Sequence, residues 1–210
     1  MKKVLPMLLL AFVMCQCNFE PSQDQPAKKS LRDQYLEKFT MDYIGERALD
    51  LGEKLCKCDP YNVYAFNNVF TKEYGDLLKE SLALPQGIDG DGPSAYLWIE
   101  FAGELCSLIA VTDVKVTDNK AKVILDSEYY EKDELSMVFV DDEWLIDDLG
   151  NCSKKHMKDV IQENRKYYKS IDWLELIGTL QERGYNKEEA VEASEGFKEE
   201  IETYFENYPK

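Results

Sequence analysis

AVTDVKVTDNKAKVILD, residues 110–126, decides the fold class of this chain. Ala110, Thr112, Val114 and Val116 alternate with Val111, Asp113, Lys115 and Thr117. Ala121, Val123 and Leu125 then alternate back against Lys120, Lys122 and Asp126, with Ile124 the one apolar residue on the polar side. A period of two places one side of a strand on a core and the other toward water. Asp118-Asn119 supplies a two-residue turn from side chains that tolerate positive φ, so the stretch predicts a β-hairpin. Downstream, Leu135 to Val140 is apolar on both faces except for Ser136, as a central strand requires. Asp141-Asp142 turns the chain into Glu143–Leu149, which carries Trp144 and Ile146. Upstream, Tyr96 to Phe101 predicts one further strand.

Helical periodicity flanks these strands on both sides. Ser30 can cap a helix over 31–57, whose stripe runs Leu31, Tyr35, Phe39, Tyr43 and whose weak points are Gly45 and Gly52. Asp59-Pro60 opens a second helix bearing Tyr61 and Tyr64, and Thr71 caps a third with Tyr74, Leu77, Leu78 and Leu82 on one side. After the strands, Met157, Val160, Ile161 and Tyr168 form one stripe, and Trp173, Leu174, Ile177 and Leu180 another. Gly184 ends that second helix, and Asn186 with Glu189 begins a last one bearing Val191, Phe197, Ile201, Tyr204 and Phe205. Helices followed by a meander of antiparallel strands define an α+β protein, here with a C-terminal helical extension. The expected divisions are a leader at 1–16, a tether at 17–30, an α+β domain at 31–150 and the extension at 151–210.

The hairpin pattern Val-x-Val-x-x-Asn-Lys-Ala-x-Val at 114–123 and the closing Asp-Asp-Glu-Trp-Leu-Ile-Asp-Asp-Leu at 141–149 carry a resemblance. Residues 31–150 resemble the cone-shaped fold of the nuclear transport factor 2 superfamily, and in particular small secreted bacterial domains of that superfamily without an assigned function. The resemblance implies N-terminal helices packed on a curved antiparallel sheet, often around a pocket. It leaves function open, because members include isomerases, dehydratases, carriers and scaffolds. Its enzymes use a carboxylate base with a tyrosine or aspartate inside the cone. The last 60 or so residues lie outside it.

The N-terminus predicts export. Lys2 and Lys3 precede an apolar run from Val4 to Met14 that is too short to span a bilayer, and Cys15 and Cys17 follow. The expected product is a lipoprotein acylated at Cys17, with Cys15 the alternative. The preceding residues, Met14 and Gln16, are not the small ones usual at such a site. An ordinary cleaved leader is the competing reading, but no A-x-A-like site is present. Pro21, Gln23, Asp24, Gln25, Pro26 and Lys28 suit an extended tether. The expected location is the bacterial cell envelope, facing the periplasm or the exterior and held to a membrane by the lipid. The formal charge of −16 disfavours nucleic acid, which needs a basic face.

Chemistry is sparse in the sequence. The single histidine, His156, sits at a basic helix start, where neither a nucleophile–histidine site nor a histidine-rich zinc site is expected. Cys56, Cys58, Cys106 and Cys152 form an even set for an exported chain, and the expectation is one or two disulfides from the first pair to Cys106 and Cys152. Asp89-Gly90-Asp91-Gly92 lacks the further ligands of a calcium loop. Tyr64, Trp98 and Trp144 are candidate pocket-lining residues, although aromatics at such spacings also build cores. No cofactor and no metal are called for. The leading expectation is therefore a lipid-anchored binding or interaction module, its partner a protein or a small apolar ligand. The alternative is a small acid–base enzyme of isomerase or dehydratase type using a carboxylate and a tyrosine inside the cone, with Asp113, Asp126, Asp147 and Asp148 as the strand-borne acids.

Overall fold

The computed structural model of the chain describes residues 29–56, 68–88, 108–127, 133–150 and 152–209. Among them it is α+β, with six helices and one four-stranded antiparallel sheet. The order is α1 (Leu31–Glu37), α2 (Met41–Cys56), α3 (Lys72–Leu82), β1 (Leu108–Thr117), β2 (Lys120–Ser127), β3 (Asp133–Val140), β4 (Glu143–Leu149), α4 (Lys154–Ser170), α5 (Trp173–Glu182) and α6 (Lys187–Asn207). The helix expected from Asp59 and the strand expected at 96–101 lie outside the described residues.

The sheet is a simple meander, β1-β2-β3-β4. Asp118 turns the first hairpin at φ +55°, and Asp141 and Asp142 turn the last at +50° and +70°. Two successive positive φ values match the right-handed twist of the strands they join, and aspartate tolerates them. Val114, Ala121, Val123, Leu125, Leu135, Met137, Trp144, Ile146 and Leu149 all face the core. Ile44, Ala48 and Leu51 from α2, with Tyr74 and Leu78 from α3, cover that side of the sheet. Beyond β4, residues 69–71 run alongside: Thr71 N–H donates to the Ile146 carbonyl, and Ile146 N–H to the Val69 carbonyl, both at 2.8 Å.

Two bulges change what the alternation implies. In β1, Val111 pairs with Leu125 and Asp113 with Ile124, so Thr112 is the extra residue. The phase therefore shifts at Thr112, and Val111 packs toward the core while Thr112 is exposed. In β4, Asp148 pairs with Ser136 and Ile146 with Met137, leaving Asp147 unpaired and turned toward α3 and α4. The break in the first helical run also differs from expectation. It falls at 38–40, where the Thr40 hydroxyl accepts from Tyr43 N–H at 3.3 Å, and not at either glycine.

The C-terminal helices pack on the body through a second core of Leu84, Ile161, Tyr168, Phe197, Ile201 and Tyr204. Each start is capped: by Ser153 for α4, by Asp172 for α5 and, as expected, by a full capping box from Asn186 and Glu189 for α6. Gly184 ends α5 at φ +103°. Leu174, expected on the apolar stripe of α5, is instead exposed, while Trp173 beside it packs edge-on to Phe197 of α6.

Candidate functional site

Thr112 and Asp113, at the β1 bulge, stand between two hollows. One is a groove of about 550 Å³ between α2 and β1, lined by Met41, Asp42, Gly45, Glu46 and Leu49 opposite residues 110–114. The other, about 480 Å³, lies on the outer face of the sheet between Lys115, Ile124 and Asp126 and shares Thr112 and Asp113. The bulge makes this shape. It lifts Thr112 out of the ladder, and the Thr112 hydroxyl donates across to the Ile124 carbonyl at 3.3 Å. Gly45 leaves the helix side of the groove bare, since a Cβ there would stand 3.5 Å from Val111 Cγ1. Leu49, Ala110 and Val111 give an apolar floor, and Asp42, Glu46 and Asp113 supply three carboxylates with no cation among the described lining residues. Lys115 reaches Asp113 at 3.4 Å from outside the groove. Such a surface can hold an apolar group and an adjacent positive charge.

Of the strand acids weighed for acid–base work, Asp113 stands at the bulge between the groove and the outer face, beside Lys115, and Asp126 lies on the outer face. Asp147 accepts from the Thr71 hydroxyl at 2.7 Å and from Lys154 Nζ at 2.8 Å. Asp148 Oδ1 accepts from Lys154 N–H at 2.9 Å, helping to start α4. Lys154 and Lys158 also grip Glu73 at 3.0 Å each, and these hydrogen bonds hold the Glu73 carboxyl below its ordinary range. Burial alone would lower the Lys154 ammonium, yet its bonds to Asp147 and Glu73 outweigh that and raise it. The cluster fastens α4 to α3 and β4. Tyr35 packs tilted against Phe39 at 5.4 Å and edge-on to Phe139 at 5.9 Å.

Cys152, expected to form a disulfide, has no solvent exposure in the main core, where the Tyr74 hydroxyl donates to its carbonyl at 2.8 Å. The side chains of Cys56, Cys58 and Cys106, like Cys15 and Cys17, lie outside the described residues. Trp144, expected to line a pocket, is a core side chain. Its ring packs edge-on to Phe39 at 5.5 Å and against Phe139 at 5.3 Å, and its Nε1 donates to the Lys38 carbonyl at 2.7 Å. Tyr64, Trp98 and the Asp89–Gly92 loop are outside the described residues. His156 is half-buried at the start of α4, and no group of three or more His, Cys, Asp or Glu among the described residues is placed to hold a metal. No described helix is long and apolar enough to cross a membrane.

The sequence reading missed a buried polar cluster in the second core. Arg165 Nη2 donates to Glu80 Oε1 at 2.7 Å and to the Tyr208 carbonyl at 2.6 Å, and its Nε donates to the Tyr204 hydroxyl at 3.0 Å. Tyr204 in turn donates to Glu80 at 3.1 Å. Burial, then the Glu80 charge, pushes the Tyr204 phenol up to about 12. No family model, no curated protein and no solved structure matches this chain.

Proposed function

We propose that this chain is an exported, lipid-anchored interaction module of the bacterial cell envelope, acylated at Cys17, whose working surface is the groove between α2 and β1. We further propose that its body is a cone-shaped domain like those of the nuclear transport factor 2 superfamily, a reading supported by the helices-then-meander order and the Trp144–Ile146 closing strand. The leader residues support the anchor. The observation that carries the binding reading is the lining of the groove: an apolar floor under Asp42, Glu46 and Asp113. Charge complementarity then favours a protein partner that presents an extended segment of alternating apolar and basic side chains. A basic segment gains from the same acidic surface that disfavours nucleic acid.

Two measurements test this. The mature N-terminus, read by mass spectrometry, should begin at a diacyl- or triacyl-modified Cys17, and Cys17→Ser should release the protein from membranes. An unmodified N-terminus ends the anchor reading. A peptide of alternating valine and lysine should bind the purified protein, and the double variant Asp42→Lys/Glu46→Lys should weaken that binding at least about tenfold, since each reversed charge acts at close range. Equal binding by the variant ends the groove reading.

A further inference from the structure

We infer that the end of the molecule formed by α1, the start of α2 and the β3–β4 turn is a seat for the membrane surface. The inference rests on the anchor proposed above. Of the seven large apolar side chains exposed among the described residues, five gather here: Leu31 (85 %), Tyr35 (49 %), Leu36 (54 %), Met41 (63 %) and Val140 (39 %). No residue of α1 is buried, although the helix is capped by Ser30 and held to the body by rings: Tyr35 meets Phe139 at 5.9 Å. An ordered helix with none of its leucines covered is expected where a non-aqueous surface meets it.

The position of the tether identifies that surface. Twelve residues, 18–29, separate Cys17 from Ser30. Even fully extended they reach at most roughly 45 Å, and a coil of that length holds its ends far closer. The apolar end is therefore the part of the body that an acylated Cys17 keeps nearest the bilayer. Charge does not drive the contact. Lys29 is paired with Glu37 at 2.6 Å and Lys38 with Asp142 at 2.7 Å, in a chain of net charge −16. The seat works by inserting leucine and methionine at the level of the headgroups, and it requires no anionic lipid. The acyl chains on Cys17 hold the protein at the membrane, and the seat fixes how the body lies against it.

The test uses the full chain, processed in its own host membrane, purified and reconstituted into phosphatidylcholine vesicles whose acyl chains carry bromine. Leu36→Trp places a reporter on the seat, and Leu174→Trp places one at an exposed apolar site on α5. Both positions are open to solvent, so neither change disturbs packing. In floated vesicles the added emission of Leu36→Trp should be quenched several-fold more than that of Leu174→Trp, and to the same degree when phosphatidylglycerol is included. Equal quenching of the two reporters in protein that floats with an acylated N-terminus overturns the seat and leaves the anchor standing. Protein that fails to float overturns both. Burial of residue 36 by self-association without vesicles, seen as a concentration-dependent blue shift of its emission, also overturns it.

Discussion

The core beneath the sheet is assembled from hydrocarbon and rings, whereas the core between α3, α4 and α6 closes over Arg165 and Glu80, the only buried charged side chains among the described residues. In the first core hairpin neighbours fix the register of the sheet, and the chain that covers it is held by bonds as distant as Trp144 Nε1 to the Lys38 carbonyl, 106 positions apart. The second draws on residues 85 and 124 positions apart in the chain, joined by donors and acceptors that fit in one arrangement only. The difference teaches what each region resists. An apolar core is most sensitive to lost volume. A core around an ion pair is most sensitive to losing one partner, because the charge left behind has neither water nor a counter-ion.

The largest expected effect is in the first core. Trp144 has no exposure and touches both Phe39 and Phe139. Trp144→Ala should cost about 4 kcal/mol, from lost transfer energy plus the cavity left behind. Urea unfolding measures this directly. A loss under about 1 kcal/mol would mean that the aromatic cap collapses to fill the space, and the contrast between the cores would blur.

The second core should respond next. Arg165→Met keeps most of the volume but orphans Glu80, and it should cost about 3 kcal/mol; adding Glu80→Leu should return most of that loss. A double variant no more stable than the single one would show that the pair acts as a net stabiliser and not as a device for register. The same cluster should also respond to alkali. The Tyr204 phenol stands at about 12 when folded against an ordinary 10.0. Below pH 10 both states hold the proton, and this contribution to stability is fully present. Between 10 and about 12 the unfolded chain gives up the proton first, so stability falls as pH rises through that window. Arg165→Met should shift the tyrosinate absorbance transition, and the Trp144 variant should not.

Legibility followed the same division. The hairpins could be read because period two and the aspartate turns at 118 and 141–142 are local signals, and the capping box that starts α6 could be read for the same reason. The break at 38–40 could not, because the spacing Leu31, Tyr35, Phe39, Tyr43 runs unbroken across it and apolar periodicity does not register a turn. The bulges at Thr112 and Asp147 were hidden because only pairing with a neighbouring strand reveals an extra residue. The α2–β1 groove depends on the first of these bulges and on a helix about 65 residues upstream, so of its lining only Asp113 was singled out, and that as an acid–base candidate. Arg165, set among Glu163, Lys166 and Lys169, reads as one more solvated charge until Glu80 is brought beneath it.

Whether the two cores form one cooperative unit can be decided at their joint, with the smallest expected effect. Thr71 contributes to both sides. Its N–H extends the sheet by donating to Ile146, and its hydroxyl donates to Asp147, which also holds Lys154 at the start of α4. Thr71→Val preserves the shape and deletes the hydroxyl. Lys154 still satisfies the carboxylate, so the loss should be about 1 kcal/mol, the scale of one cap or one side-chain hydrogen bond. Thr71→Ser should retain nearly all of it. Tryptophan fluorescence around Trp144 and tyrosine absorbance around Tyr204 should lose stability by the same amount and at the same denaturant concentration, because Leu77 packs into both cores and leaves no boundary along which they could part. Transitions that separate under Thr71→Val would instead make α4 to α6 a unit that folds beside the sheet, and the ion pair a lock closed after the apolar core is complete.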